Sequence, residues 1–391
     1  MKTKIYYLFF SGMIVLFSPV ISYATQQKIH IAYLSQIPEI RQAASSLDPV
    51  VTDRGIQGAN LAIVDNNTTG AFLNQQFDLQ LTTLASDQDP VSVFKTLINQ
   101  GIQFILADVP EHKLPELQQL ADSAKVLLFN VSSRADDLRQ SACGKNTLHL
   151  LPSRAMRADA LGQYLLFKRW NKWLLVVGSQ PKDQLFAAAL KRAAKRYQMK
   201  IVDERIWKHN YDARRTAQKE IPVFTQGIEH DVLVVADEDG LFGDYLPYRT
   251  WIPRPVVGTQ GLFATAWHPA HEQWGALQLN NRFRKQAKRD MTEIDYGAWL
   301  AVRAIGEAAS RTQSTDYQTI RDFMLSGQFA LAGFKGRALS FRPWNGQLRQ
   351  PVLLVWPRAV VSVLPLAGFL HPVNTLDTLG FDKAEVKCQS N

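Results

Sequence analysis

"HLLPSRAMRADALGQYLLFKRWNKWLLVVG", residues 149–178, is where a β-α rhythm starts a second time. "HLLPS" leads into a helical stretch, "RAMRADALGQYLLFKRW", and then into an apolar strand, "KWLLVVG". Upstream, "KIHIAYLS", "FDLQLTTLA", "IQFILAD" and "KVLLFN" read as strands. Between them "RGIQGANLAIVDNN", "DPVSVFKTLINQ" and "PELQQLADSA" read as helices, the second opened by a capping Asp89. Downstream, helices "DQLFAAALKRAAKRYQ" and "DARRTAQKEIPVFTQ" separate strands "KIVDERIW", "HDVLVVADE" and "RPVVG".

Strands alternating with helices specify a parallel sheet covered on both faces. Two such runs predict an α/β protein of two doubly wound parallel-sheet lobes joined by a hinge. Later, "DYGAWLAVRAIGEAAS" and "TIRDFMLS" read as helices, and "ALSFRPWNGQLRQPVLLVWP" as a hairpin turning at Asn345-Gly346. The final stretch from "FLHPVNTL" is polar and irregular. The expected domains are 25–150 with 262–330 for lobe 1, and 151–261 with 331–391 for lobe 2 and the tail.

The first 24 residues read as a signal peptide. Lys2 and Lys4 precede a short apolar run, and Ser22 and Ala24 place small residues at a cleavage site. A retained anchor is the alternative, but the run is short of the ~20 residues a spanning helix needs. Without those two lysines, 42 basic residues face 35 acidic ones. That modest surplus lies on Lys191, Arg192, Lys195, Arg196 and on Arg284, Lys285, Lys288, Arg289, which read as solvated helix faces. An exported chain meets no nucleic acid. Two cysteines, Cys143 and Cys388, suit one disulfide in an oxidising compartment, tying the tail to a mid-chain loop; two free thiols are the alternative.

The order of elements resembles type I periplasmic solute-binding proteins of the branched-chain amino acid ABC transporter class. "LHLLPSRAMRADALGQYLLFKRWNKWLLVVGSQPKD" is similar to their crossover between lobes. "SSRADDLRQSACGKNTLHLLPSRAM", "WHPAHEQWGALQLNNRFRKQ", "FKGRALSFRPWNGQLRQP" and "GFLHPVNTLDTLGFDKAEVKC" resemble a subfamily encoded beside PQQ-dependent alcohol dehydrogenases. The resemblance implies a monomeric periplasmic protein, not an enzyme and without a cofactor. It would bind a small molecule and deliver it to an inner-membrane ABC permease. An accessory role for a PQQ-dependent dehydrogenase is the alternative.

The family's amino-acid pocket maps onto this chain with changes. The loop after the third strand normally offers a hydroxyl to the ligand carboxylate; here it begins with Asp108. The loop after the fourth keeps Ser132 and Ser133 and adds Arg134. The acidic partner for the ammonium is replaced by neutral Gln260 in "GTQG", and an aromatic by Asp237 and Glu238. Asp108 would repel a carboxylate in a desolvated cleft, and an ammonium would lack its anion. Tyr33 at the end of the first strand and Trp267 after the "GTQG" turn are the remaining candidates, Trp267 as an aromatic platform.

Other motifs are weaker. Asp108, Asp237, Glu238 and Asp239 would make an acidic cleft, but lack a calcium-loop register and read better as caps near Gly240. His268, His271 and Glu272 form half a zinc motif, with Gly275 at the second histidine position. No G-x-S-x-G elbow serves Ser132 or Ser133.

Overall fold

A computed structural model describes residues 26–37, 51–208 and 217–388; the signal peptide expected over residues 1–24 lies outside them. The first half runs β1 (Gln27–Gln36), α1 (Ile56–Leu73), β2 (Gln75–Leu84), α2 (Pro90–Asn99), β3 (Phe104–Asp108), α3 (Leu114–Ala124), β4 (Leu127–Asn130), α4 (Asp137–Gln140) and β5 (Thr147–His149). The second runs α5 (Arg154–Lys168), β6 (Lys172–Gly178), α6 (Pro181–Arg196), β7 (Lys200–Trp207), α7 (Ala217–Phe224), β8 (Val232–Ala236), α8 (Leu246–Arg249), β9 (Val256–Gly258) and β10 (Leu262–Thr265). Then come α9 (Ala276–Ala287), α10 (Glu293–Thr312), α11 (Tyr317–Leu325), β11 (Leu331–Ala332), β12 (Ala338–Phe341), β13 (Leu348–Arg349), β14 (Val352–Trp356) and β15 (Ala359–Leu364).

The first sheet has the order β2-β1-β3-β4-β5 and is parallel throughout. The second has the order β15-β14-β10-β9-β8-β6-β7; its strands from β10 to β7 are parallel, and β14 and β15 add antiparallel at one edge. Strands such as "FILAD" and "VLVVA" are buried along their whole length because helices cover both faces. Two apolar clusters sandwich each sheet. The two-lobe α/β architecture is therefore present as expected. Among the described residues no helix is long and apolar enough to cross a membrane.

The lobe boundaries need two corrections. β10 pairs with β9 and β14, so residues 262–265 belong to the second sheet and the chain returns to lobe 1 only after Thr265. Leu331, Leu339, Phe341 and Leu348 pack into the first lobe's core, so β11–β13 belong there, and the chain crosses again before β14. The expected hairpin forms between β12 and β13, with Gly346 at φ 66° in its turn; "VLLVW" instead joins the large sheet.

The tail is not loose. Asp377 is fully buried between Arg342 (2.7 Å) and Arg349 (2.9 Å). Arg192 and Arg196 are not a solvated face. Both pair with buried Asp159 on α5, and both bond the Gly380 carbonyl, so they clamp the tail onto lobe 2. Cys388 is then disulfide-bonded to Cys143 beside α4 of lobe 1, with Cα atoms 5.6 Å apart. The tail is thus a covalent strap from one lobe to the other.

Candidate ligand site between the lobes

In doubly wound sheets, ligands sit outside the carboxyl ends of the strands. Here those ends carry Asp108 and Glu111 after β3, Ser132–Arg134 after β4, Asp237 and Glu238 after β8, and Gln260 after β9. The two lobes' ends meet at Arg154, the first residue of α5. Its guanidinium bonds Glu238 at 2.7 and 3.1 Å and Glu111 at 2.9 and 3.2 Å. Its side chain is 4% exposed, against 7% for Glu238 and 27% for Glu111. Burial lowers the Arg154 pKa, but attraction to the two carboxylates outweighs this and holds it above its ordinary value. Glu111 behaves in the opposite sense: burial raises its pKa, and Arg154 and the Ser133 hydroxyl together bring it below the usual range.

The other expected site residues are already engaged within the protein. Asp108, 3% exposed, is gripped by both arms of Arg54, at 3.1 and 3.3 Å. Desolvation nevertheless raises its pKa, against Arg54 and the nearby Ser132 hydroxyl. Tyr33 is fully buried and donates to the Arg54 carbonyl at 3.3 Å. The Asn130 side-chain oxygen accepts the amides of Ser132 (3.3 Å) and Ser133 (2.9 Å), so these amides are not free for a ligand. The Ser133 hydroxyl donates to Glu111 at 2.9 Å. The buried Ser132 hydroxyl is the exception and has no hydrogen-bond partner among the described residues.

Asp237 receives the amides of Leu241, Phe242 and Gly243 at 2.7–2.9 Å and so holds the following turn closed, as the capping reading expects. Gln260 donates to the Asp237 carbonyl at 3.1 Å and accepts from the Thr259 hydroxyl. Trp267 is not a cleft platform. It is 2% exposed, its indole N–H donates to Asn280 at 3.0 Å, and its ring stacks on Tyr296 at 4.3 Å. His271 shares a hydrogen with the Phe334 carbonyl at 2.9 Å, and His268 Nδ1 accepts the Ala270 amide. Among the described residues no group of three or more His, Cys, Asp or Glu is placed to hold a metal ion.

Arg134 pairs with Glu293, the first residue of α10. Glu293 also accepts from the Thr265 hydroxyl (2.9 Å) and the Ala266 amide (3.2 Å) at the end of β10. Sequence reading missed the residue that completes the cluster, Arg157. It lies one turn after Arg154 and is 7% exposed. Its Nε donates to the Ala264 carbonyl at 2.7 Å, and its guanidinium sits 5.7 Å from the centre of the Phe186 ring. It forms no ion pair among the described residues. Desolvation first, and then the nearby Arg134, push its pKa down to about 9. An arginine at i+3 from Arg154 on a wholly buried helix turn was the available signal.

A shallow open groove of about 520 Å³ lies along α9, lined by Gly275, Gln278 and Arg282 among others, and shares no residue with this cluster.

No protein-family model matches the chain, and no curated protein is similar to it in sequence. Solved structures do match its fold. A periplasmic binding protein from Burkholderia mallei superposes with TM-score 0.68 at 13% identity, covering 93% of this chain and 98% of its own. A branched chain amino acid ABC transporter periplasmic ligand-binding protein from Burkholderia xenovorans matches with TM-score 0.68 at 15% identity, covering 86% and 94%. An R. palustris ABC transporter solute binding protein, solved in complex with benzoate, matches with TM-score 0.66 at 10% identity, covering 92% and 99%. The fold is that of the type I periplasmic binding proteins.

Proposed function

From that fold, we propose that the protein is the periplasmic solute-binding component of an ABC transporter. Its lobes would close over a small ligand and present it to an inner-membrane permease, without chemistry of their own. The names of the structural neighbours support this reading, as does the signal peptide read at residues 1–24. We further propose that the ligand is not an α-amino acid and belongs to PQQ-dependent alcohol oxidation. The second part rests on the sequence segments that resemble that subfamily.

The observation that carries the exclusion of amino acids is the state of the β3 and β4 loops. The position for a ligand carboxylate is taken by Asp108 and its partner Arg54, and Asn130 consumes the amides that would otherwise receive it. In lobe 2, Glu238 is spent on Arg154 and Asp237 on three backbone amides, so neither is open to an ammonium. Calorimetry with leucine, isoleucine and valine should show no micromolar binding. Alcohols, aldehydes, their acids and PQQ form the panel in which a binder is expected. Micromolar leucine binding would overturn the exclusion. A stable complex with the dehydrogenase and no binder in the panel would favour the accessory role.

A further inference from the structure

We propose that the cleft receives a monocarboxylate, held by Arg157 from lobe 2 with Arg134 facing it from lobe 1. This rests on the ligand-binding reading above and names its ligand class.

The argument begins with what the cluster leaves unpaired. Arg154 carries two carboxylates, Glu111 and Glu238. Arg134 carries Glu293, and its buried Nε has no acceptor. Arg157, more than nine-tenths buried, has one hydrogen bond, through Nε to a neutral carbonyl. Its terminal nitrogens bond to nothing among the described residues. Those nitrogens are not among the atoms sealed from solvent, so the charge keeps a little water, but a cation buried this far without an anion is still unfavourable. Replacing it by an apolar side chain would relieve that, so the position is maladapted for stability alone.

The surroundings of Arg157 are those of the cleft. It follows Arg154 by one turn of α5, and two residues beyond its acceptor Ala264 the Ala266 amide bonds Glu293, the partner of Arg134. Its anchor, Ala264, is in β10 just before the crossing to lobe 1. With Nε taken by Ala264, the edge formed by the two terminal nitrogens remains free and matches a carboxylate by two parallel hydrogen bonds. Charge count sets the limit on the ligand. Glu111, Glu238 and Glu293 stand nearby, so a dianion such as a phosphate ester meets repulsion that a single carboxylate escapes.

The test uses matched pairs on the mature protein: benzoate with benzyl alcohol, and glycolate with ethylene glycol. Calorimetry should show binding of a carboxylate at least tenfold tighter than its alcohol. Arg157→Met should lower that affinity at least tenfold while leaving the melting temperature of the empty protein equal or higher. Arg157→Lys, which keeps the charge but not the fork, should fall between. Should Arg157→Met fail to fold, Arg134→Gln, at a partly exposed position, is read instead and should also weaken the carboxylate. Carboxylate binding unchanged in the Arg157 variants overturns the proposal. Alcohols binding as well as acids, indifferent to Arg157, overturns it too but leaves a ligand-binding protein standing. No binding by any of the four, with no small molecule recovered from the purified protein by mass spectrometry, overturns both readings.

Discussion

Arg154→Met should destabilise the protein by about 3 kcal/mol at pH 8 and by less below pH 4. The magnitude follows from what is stranded. Removing one partner of a buried ion pair leaves the other charge uncompensated, typically at a cost of 3–5 kcal/mol. Glu238 is the stranded group, 7% exposed and bonded to Arg154 through both oxygens. Glu111 adds little, because it is 27% exposed and keeps the Ser133 hydroxyl at 2.9 Å. The lower end of the range is therefore expected. The pH dependence has a definite sign. In the wild type Glu111 has a depressed pKa, so its contribution is present above the ordinary carboxylate value and is lost as pH falls. In the variant that contribution of Glu111 is absent at every pH. The gap between the two proteins therefore narrows as pH falls below the ordinary carboxylate value. Urea unfolding at several pH values, with m-values compared for two-state behaviour, measures it. A second arm adds Glu238→Gln, which removes the stranded charge and should restore part of the loss in Arg154→Met. A loss under 1 kcal/mol at pH 8, or one independent of pH, would refute the reasoning.

Two further outcomes are expected. Cys143→Ser with Cys388→Ser opens a covalent loop spanning 245 residues of sequence. The chain-entropy limit for such a loop is about 5 kcal/mol, and a loss of roughly 2–4 kcal/mol in denaturant unfolding is expected, since Asp377 still pins the tail between Arg342 and Arg349. A loss below 1 kcal/mol would show that the strap adds nothing. Asp183 caps α6, accepts the Glu238 amide at 2.7 Å, and is pushed up to about 6 by burial. A raised carboxyl pKa means the folded state binds the proton more tightly, so stability falls as pH rises from 4 to 6. The difference between wild type and Asp183→Asn should change by roughly 2 kcal/mol across that window and be flat above pH 7; a difference constant from pH 4 to 7 counts against the assignment.

The layered fold was legible because its signal is local. "FILAD", "LLFN" and "VLVVA" are apolar runs of strand length between helical stretches, and each became a buried parallel strand. β10 and β15 were missed because their reasons are distant. Four residues, "LFAT", form a strand only because β9 and β14 flank them, and β15 is a partly exposed edge paired with β14. The same contrast holds at the site. The sequence marks Asp108 as a charge in an unexpected place, but its partner Arg54 lies 54 residues away. Trp267 follows a turn as a platform would, yet Asn280 and Tyr296, from two other helices, draw it into the core. Ser132 and Ser133 have the right composition for anion contact, and one side chain, Asn130, takes both amides. Charge and residue type were readable; who satisfies whom was not.

That difference changes what the cleft implies. A pocket that had merely lost its amino-acid ligand would keep open donors at the strand ends. Here the donors and acids have been re-paired inside the protein: Arg54 with Asp108, Asn130 with the β4 amides, Arg154 with Glu111 and Glu238, Arg134 with Glu293. Each re-pairing removes the desolvation cost of a buried polar group, which is how a cleft becomes stable without a ligand. Full conversion to a sealed interface would pair every group. Arg157 breaks that rule at the junction of the two lobes, on the same helix turn that already ties them. A ligand entering there need not displace the network. It has only to supply the acceptors that Arg157 lacks, so its binding energy is not spent on breaking ion pairs.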